Sequence, residues 1–259
     1  PNYKASYKTI RGQILQAMER FRKRTKPYKF MAYFQSFSNT YGPLEKLKEA
    51  YNQALAVDGV VGLAIGTRPD CLQEPVLAYL GGLARDYELS LEIGIESTLD
   101  HTLAYINRGH TFAQTRDAFF RAAQHGIETT GHLIIGLPGE TQDDFLHHAR
   151  QVSQLPLQRL KLHQLQVLKG TYMEKQLARE PGRFVFPTPD EYVDTVVRFL
   201  EHLRPDIVIE RFTSQSPREL IIAPDWQGIR NFVMTGRIQK RMIEQDTWQG
   251  RYFNSNHPI

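Results

Sequence analysis

Carboxylate and imidazole side chains recur on one face of two short apolar stretches. Glu92 and Glu96 lie in the stretch 89–96, where period-two alternation places both on the same face of a strand. His132 holds the same kind of position in the stretch 129–136. A strand covered on both faces normally reads apolar throughout, and an unpaired buried charge costs several kcal/mol. These positions therefore indicate a ligand site, and the alternative is a structural ion pair at Glu92 with a solvent-exposed Glu96.

The same three side chains admit a second kind of chemistry. Glutamate and histidine can exchange protons with a substrate, which would make the chain an acid–base enzyme. That interpretation requires a closed barrel with a metal or water between the side chains. A single strand histidine is more often structural, so His132 is a candidate only in combination with Glu92 and Glu96.

A cation and a glycine turn add to this set. Arg108 follows Asn107 at the end of a predicted helix, where its guanidinium could satisfy the last helix carbonyls or bind a ligand carboxylate. The sequence leaves both possibilities open. Ile135 and Gly136 begin a turn in which glycine lets the backbone approach a flat ligand closely. An ordinary turn from strand to helix is the alternative there.

Three further candidates lie at or near the ends of other predicted strands. Gln35 and Ser36 close the aromatic-rich strand predicted over 29–37, either as ligand contacts on the rim or as loop anchors. His163 lies on the strand predicted over 160–168, and both faces of that strand carry polar groups. The inward face of the strand is therefore undecided, and His163 is kept as a candidate contact.

The elements that must position these residues alternate between helix and strand. Such alternation predicts a parallel sheet with helices outside it, either closed into a barrel or a partial barrel, or open and doubly wound. Both architectures place a site at the carboxyl ends of the strands. Periodicity predicts helices over 7–26, 44–56, 75–87, 99–107, 112–125, 143–154, 192–203 and 226–245, and strands over 29–37, 60–66, 89–95, 128–136, 160–168 and 207–212.

Composition narrows the class of protein. The 259 residues, 41% of them hydrophobic, suffice for one large α/β domain or two small ones. No apolar run approaches the roughly 20 residues that span a bilayer, and no HExxH, P-loop or GxGxxG pattern occurs. The net charge is +4, with basic clusters near residues 20–29 and 237–241 that suit RNA contact or solvated helix ends. The single cysteine, Cys71, excludes an internal disulfide and suits a cytoplasmic location.

Four blocks of sequence, taken together, resemble the radical SAM superfamily. Within it, the chain is similar to the YhcC-like group of uncharacterised bacterial proteins, which is related to the elongator-type and coproporphyrinogen oxidase groups. The resemblance runs from about Ser6 to Pro224. The blocks are Gly66-Thr67-Arg68-Pro69-Asp70-Cys71, Glu92-Ile93-Gly94-Ile95-Glu96-Ser97, Ile106-Asn107-Arg108-Gly109-His110 and Gly131-His132-Leu133-Ile134-Ile135-Gly136-Leu137-Pro138-Gly139-Glu140.

This resemblance implies a fold and a set of SAM contacts. The fold is a partial (β/α)6-type barrel with parallel strands over residues 1–212, without its first strand and cysteine loop, followed by a C-terminal helical extension over 213–259. Gln35 and Ser36 stand where the family has Gly-Gly-Glu. By this resemblance, Glu96 contacts SAM near the ribose or methionine, Arg108 binds the methionine carboxylate, and His132 faces the ribose. The backbone of Ile135 and Gly136 lies along the adenine, and Gln35 and Ser36 bind the SAM amino group. Glu92 and His163 complete the predicted set.

The resemblance also implies a reaction. A 4Fe-4S cluster would cleave S-adenosylmethionine and generate a 5′-deoxyadenosyl radical, with flavodoxin or ferredoxin as the electron donor. The substrate is not readable, and RNA is one candidate. The three cysteines that hold the cluster are expected upstream of Pro1, so the chain as it stands is expected to be inactive. The alternative is a non-catalytic barrel that binds SAM or another nucleotide without a cluster.

Overall fold

The computed structural model describes residues 9–22 and 29–254. Helices and strands alternate through most of that range, as the sequence predicts. The helices are α1 (Ile10–Arg22), α2 (Leu44–Leu55), α3 (Glu74–Leu83), α4 (Asp100–Tyr105), α5 (Phe112–Gln124), α6 (Gln142–Ser153), α7 (Tyr172–Arg179), α8 (Pro189–His202) and α9 (Asn231–Glu244). The strands are β1 (Phe30–Phe34), β2 (Val60–Thr67), β3 (Glu88–Glu96), β4 (Glu128–Ile135), β5 (Arg159–Gln164), β6 (Val167–Leu168), β7 (Val208–Arg211) and β8 (Ile221–Ala223).

Six of these strands form one sheet in the order β1-β2-β3-β4-β5-β7. The pairs β1–β2, β2–β3, β4–β5 and β5–β7 are parallel, so each connection returns through a helix or a long loop. A second sheet consists of the antiparallel pair β6–β8. The order follows the chain from one strand to the next, which is the pattern of repeated βα units.

The chain folds into two compact units. The first comprises the described residues of Pro1–Gly94 and Phe120–Thr129, and its core lies around β2 and β3. β2 is apolar up to Thr67, as expected for a buried parallel strand, and Leu63 of β2 and Leu91 of β3 are fully buried. Tyr51 of α2 and Leu77 of α3 are also fully buried in this unit.

The second unit comprises the described residues of Ile95–Phe119 and Thr130–Ile259. Its core lies around β4 and β5, where Leu133 and Leu162 are fully buried. The helices α6 and α8 contribute Val152 and Val196, which are also fully buried. No described helix is long and apolar enough to cross a membrane. The boundary after residue 212, which separates barrel from extension in our interpretation of the sequence, stays a prediction.

Several elements differ from the sequence-based expectation. Helix α7 and strand β8 have no predicted counterpart, the strand predicted over 29–37 ends at Phe34, and the helix predicted over 75–87 ends at Leu83. The strand predicted over 160–168 is two strands, because the side-chain amide of Gln164 replaces the next sheet pairing. Its oxygen accepts from the Ser214 N–H at 2.7 Å, and its nitrogen donates to the Ser214 carbonyl at 3.3 Å. The helix predicted from Trp226 begins only at Asn231, whose side-chain oxygen accepts from the N–H of Phe212 at 2.9 Å.

The register of β2 on β3 can be tested through Gly62, which lies opposite Glu88. A methyl group at Gly62 would collide with the Glu88 carbonyl oxygen and come within 2.6 Å of its Cβ. We expect Gly62→Ala to lower the free energy of unfolding by about 1–3 kcal/mol, measured by chemical denaturation. The control is Gly82→Ala in α3, where a methyl meets nothing within 4 Å and raises stability by up to about 1 kcal/mol. An unchanged midpoint for Gly62→Ala would contradict this register.

Candidate functional site

In the first unit, Glu92 is buried in the middle of β3, with only 5% of its surface exposed. Its Oε2 accepts a hydrogen bond of 2.6 Å from the Tyr33 hydroxyl on β1. The strand between them, β2, carries Ala64 opposite Tyr33 and Gly66 opposite Glu92. These small residues leave space for the phenol to reach across β2. The sequence predicted Glu92 as a site residue and missed Tyr33, whose position on an aromatic-rich strand resembled that of a core residue.

Gln35 and Ser36 follow β1 directly, and both are exposed. The loop that carries them is fixed by Asn39, whose amide nitrogen donates to the carbonyls of Phe34 and Gly66 at 3.0 Å each. The Tyr51 hydroxyl donates to the Asn39 carbonyl at 2.5 Å. Burial raises the pKa of the Tyr51 phenol, so it remains a neutral donor at physiological pH. The ordered loop after β1 therefore presents the side chains of Gln35 and Ser36 to solvent.

A groove of about 880 Å³ adjoins this loop within the first unit. Residues of α1, β1 and α2 line it, and its walls are largely apolar. Met31 and Tyr33 of β1 contribute side chains to the wall and are each more than 40% exposed. Gln35 and Ser36 lie at the polar end of this lining.

In the second unit, Glu96 and Arg108 form an ion pair with 2.8 Å between Oε1 and Nη2. Only 17% of the Glu96 side chain and 25% of the Arg108 side chain are exposed. Glu96 has φ of +62°, in the left-handed region that residues with a Cβ rarely adopt. Such a conformation costs roughly 1–3 kcal/mol and persists only where the surroundings hold it. The end of β3 therefore turns sharply at the residue that binds Arg108.

Arg108 is positioned by the way α4 ends. Asn107 has φ of +54°, and its N–H donates to the carbonyl of Ala104 at 3.0 Å, while the Arg108 N–H donates to the carbonyl of Leu103 at 2.9 Å. This is a Schellman ending, in which asparagine replaces the usual glycine. The backbone of Arg108 thus caps the helix, and its guanidinium is directed to Glu96. Within the described part of the chain, the buried Nε of Arg108 has no hydrogen-bond partner.

His132 of β4 and His163 of β5 form a stacked pair. Their ring centroids are 5.3 Å apart, and the ring planes differ by 23°. The Nδ1 of His163 lies 2.7 Å from the hydroxyl of Ser214, which was not among the predicted residues. The structure therefore decides that His163 lies on the same face of the sheet as His132, a question that the sequence left open.

The turn after β4 has the conformation that the glycine predicts. Gly136 has φ of +91°, and a Cβ built there meets nothing within 4 Å, so open space faces its backbone. Ile135 is buried, and its carbonyl accepts a hydrogen bond of 3.0 Å from Leu165 N–H. A flat ligand could approach Gly136 closely, whereas the Ile135 carbonyl already serves the fold.

The turn leads into α6, whose first residues are fixed by a capping box. Thr141 accepts from the N–H of Asp144 at 3.4 Å, and the Asp144 carboxylate accepts from the Thr141 N–H at 2.8 Å. Thr141 is thus the N-cap of α6. Burial acts to raise the pKa of Asp144, but the hydrogen bonds from Thr141 outweigh it and hold that pKa below its ordinary 3.8.

Sequence similarity assigns the family. The family model described as Radical SAM superfamily matches residues 2–152, and the model of the Radical_SAM C-terminal domain matches residues 157–244. The uncharacterised protein YtqA of Bacillus subtilis is 38% identical over 93% of this chain and 74% of its own length. YhcC of Escherichia coli is 36% identical over 76% of this chain and 64% of its own length. The chain belongs to the radical SAM superfamily, whose members are enzymes.

Structural similarity confirms the fold. An archaeal Elp3 from Methanocaldococcus infernus with an N-terminal deletion superposes with a TM-score of 0.75 at 17% identity, covering 93% of this chain and 59% of that one. The predicted α/β partial-barrel class is therefore correct. The sequence matches confirm the relation to YhcC and elongator-type proteins. The individual SAM contacts remain predictions.

The capping box gives a prediction with a defined sign in pH. We expect Asp144→Asn to lower the free energy of unfolding at pH 7 by about 1 kcal/mol, measured by urea denaturation. Because the folded pKa of Asp144 is depressed, its contribution is complete above pH 3.8 and is lost as the pH falls through the lower folded value. The difference from wild type should therefore shrink below pH 3.8. Asp143→Asn, in the same helical turn but outside the box, should have a smaller effect; an equal effect would contradict the assignment.

Proposed function

We propose that this chain binds S-adenosylmethionine, with Arg108 receiving the methionine carboxylate, and that the whole protein is a radical SAM enzyme. The observation that carries the proposal is the guanidinium of Arg108, which is three-quarters buried, anchored by Glu96 on one side and left with a buried Nε that has no described partner. A planar guanidinium with free donors suits a bidentate carboxylate. SAM, when cleaved reductively at a 4Fe-4S cluster, supplies a carbon radical that removes a hydrogen atom from substrate.

The residues around Arg108 have separate tasks in this proposal. Glu96 holds the guanidinium in one orientation, which lowers the entropy lost when a carboxylate binds. The stacked rings of His132 and His163 offer an aromatic and polar surface for the ribose. Open space at Gly136 admits the adenine ring against the backbone. Gln35, Ser36 and Glu92 belong to the first unit, and their assignment to SAM stays a prediction from the sequence.

The cluster does not fit the residues of this chain. The sequence holds one cysteine, Cys71, and the described residues contain no group of three or more metal-ligating side chains. Tetrahedral iron–sulfur ligation by cysteine thiolates therefore cannot be built from them. The contribution of this chain's own residues is to bind, orient and shield SAM. The expected cysteines upstream of Pro1 stay a prediction.

The basic cluster near residues 237–241 gives RNA little support as the substrate, and residues 23–28 of the other cluster lie outside the described range. Several cations on α9 already have acidic partners: Arg237 lies 3.5 Å from Asp190, and Arg241 pairs with Asp194 on α8. Such pairs are typical of a solvated helix surface. RNA, the electron donor and the cytoplasmic location stay predictions.

Arg108 provides the test of SAM binding. We expect Arg108→Ala to raise the Kd for S-adenosylhomocysteine at least about tenfold, because a charge-assisted hydrogen-bonded pair contributes roughly 1.5–3 kcal/mol. The Kd of Arg108→Lys should lie between those of wild type and Arg108→Ala, since an ammonium keeps the charge and loses the planar arrangement of donors. Binding is measured by isothermal titration calorimetry. The matched control is Arg179→Ala on α7, whose partner is Glu180 at the surface.

A ligand without the carboxylate sharpens the same experiment. Methylthioadenosine carries the adenosine but no amino-acid group, so Arg108→Ala should leave its Kd nearly unchanged. An equal loss for both ligands would mean that the variant damages the fold and would contradict the assigned role. Absence of saturable binding to the wild-type chain would overturn the proposal as a whole.

A further inference from the structure

The second unit contains a wholly buried pair of ionisable side chains that no proposed SAM contact uses. Glu140 is the last residue of the glycine turn, and His148 lies on α6. Both side chains are 0% exposed, and His148 Nε2 lies 3.3 Å from Glu140 Oε1. The same oxygen accepts a hydrogen bond of 2.6 Å from the Ser97 hydroxyl. The other imidazole nitrogen, Nδ1, lies 2.6 Å from the Thr98 hydroxyl.

This network is costly for the fold. Within the described chain, neither Glu140 Oε2 nor His148 Nε2 has a hydrogen-bond partner of good geometry, although both atoms are buried. A half-satisfied buried network is worse for stability than an apolar core. Replacing a buried ionic pair by apolar residues of similar size is often neutral or stabilising. Stability alone therefore does not account for these side chains.

The position of the network gives it a different role. Ser97 and Thr98 directly follow Glu96, the residue in the left-handed conformation. The Ser97 hydroxyl also accepts from the N–H of Leu99 at 3.1 Å, so it holds both the turn and the start of α4. Glu140 closes the glycine turn through its N–H, which donates to the Leu137 carbonyl at 3.1 Å. The four side chains thus connect the loop after β3 to the loop after β4.

We propose that Glu140 and His148 are positioning residues that hold the backbone at 96–98, and with it the Glu96 carboxylate, in the conformation that orients Arg108. The strain at Glu96 is sustained because Ser97 and Thr98 each have a buried partner on the neighbouring element. The consequence for ligand affinity rests on the proposed function, whereas the conformation of 96–98 can be measured without a ligand.

The test replaces both members of the pair at once. Glu140→Met with His148→Phe keeps the volume and introduces no charge, but it removes the side-chain partners of the buried Ser97 and Thr98 hydroxyls. An unsatisfied buried hydroxyl costs about 1–3 kcal/mol, so the free energy of unfolding should fall. We expect amide hydrogen exchange in the segment 96–99 of the ligand-free protein to become at least about tenfold faster. The single variant Glu140→Gln, which keeps an oxygen for Ser97 and leaves His148 in place, should keep most of the wild-type protection against exchange at 96–99.

A matched pair of serine variants covers the case in which the double variant does not fold. Ser97 and Ser153 are both buried, and each hydroxyl donates one hydrogen bond and accepts one from a backbone N–H. Ser97→Ala should accelerate exchange at 96–99, while Ser153→Ala at the far end of α6 should not. Equal exchange at 96–99 in the two serine variants would overturn the proposal.

The affinity arm separates this inference from the proposed function. If wild type binds S-adenosylhomocysteine, the double variant and Ser97→Ala should raise its Kd at least about fivefold, and Ser153→Ala should leave it unchanged. Faster exchange at 96–99 with unchanged affinity would overturn the ligand role of the network. If wild type does not bind the ligand, the proposed function fails, and hydrogen exchange alone decides whether Glu140 and His148 hold the loop.

Discussion

The ion pair between Glu96 and Arg108 is the interaction on which the candidate site of the second unit depends. Each partner depends on a residue in the left-handed region. Glu96 itself has φ of +62°, and Asn107, which precedes Arg108, has φ of +54°. Two elements must therefore end in a defined way before the charges meet at 2.8 Å. Because the pair is largely buried, its attraction is screened less than that of a surface pair. The helix ending and the strand ending are thus as much a part of the site as the charges.

The blocks of sequence that indicate the family combine strand ends with turns. Glu96, Asn107 and Gly136 all have positive φ, and each lies in one of those blocks. A short motif is informative here because few residues tolerate such conformations, and asparagine and glycine are the ones that do so at least cost. Glu96 is the exception, and its cost is offset by contacts made elsewhere. The motif letters therefore encode backbone geometry as well as ligand chemistry.

The sequence predicts the fold better than it predicts the site. Alternating periodicity is local, so it locates β3, β4 and α6 within one or two residues and identifies the faces of Glu92 and His132. It failed at residues 160–168, because a side-chain amide of Gln164 takes the place of the sheet pairing after the first strand. Local periodicity also does not predict contacts between residues that are distant in the sequence. Glu140 and His148 lie 43 and 50 residues from their partners Ser97 and Thr98, and no periodicity connects such positions.

That same separation has a consequence for how the protein folds. The contacts at Ser97, Thr98 and His163 each close a loop of 43 to 51 residues, whereas each strand–helix unit is assembled from neighbours in sequence. The entropy of closing a long loop is spent before such a contact contributes any stability. The contacts of Ser97, Thr98 and His163 should therefore form later than the pairs β1–β2, β2–β3 and β4–β5, which join residues 26 to 31 apart. A chain trapped as an intermediate would then contain most of its strands and lack the contacts that hold Ser97, Thr98 and His163.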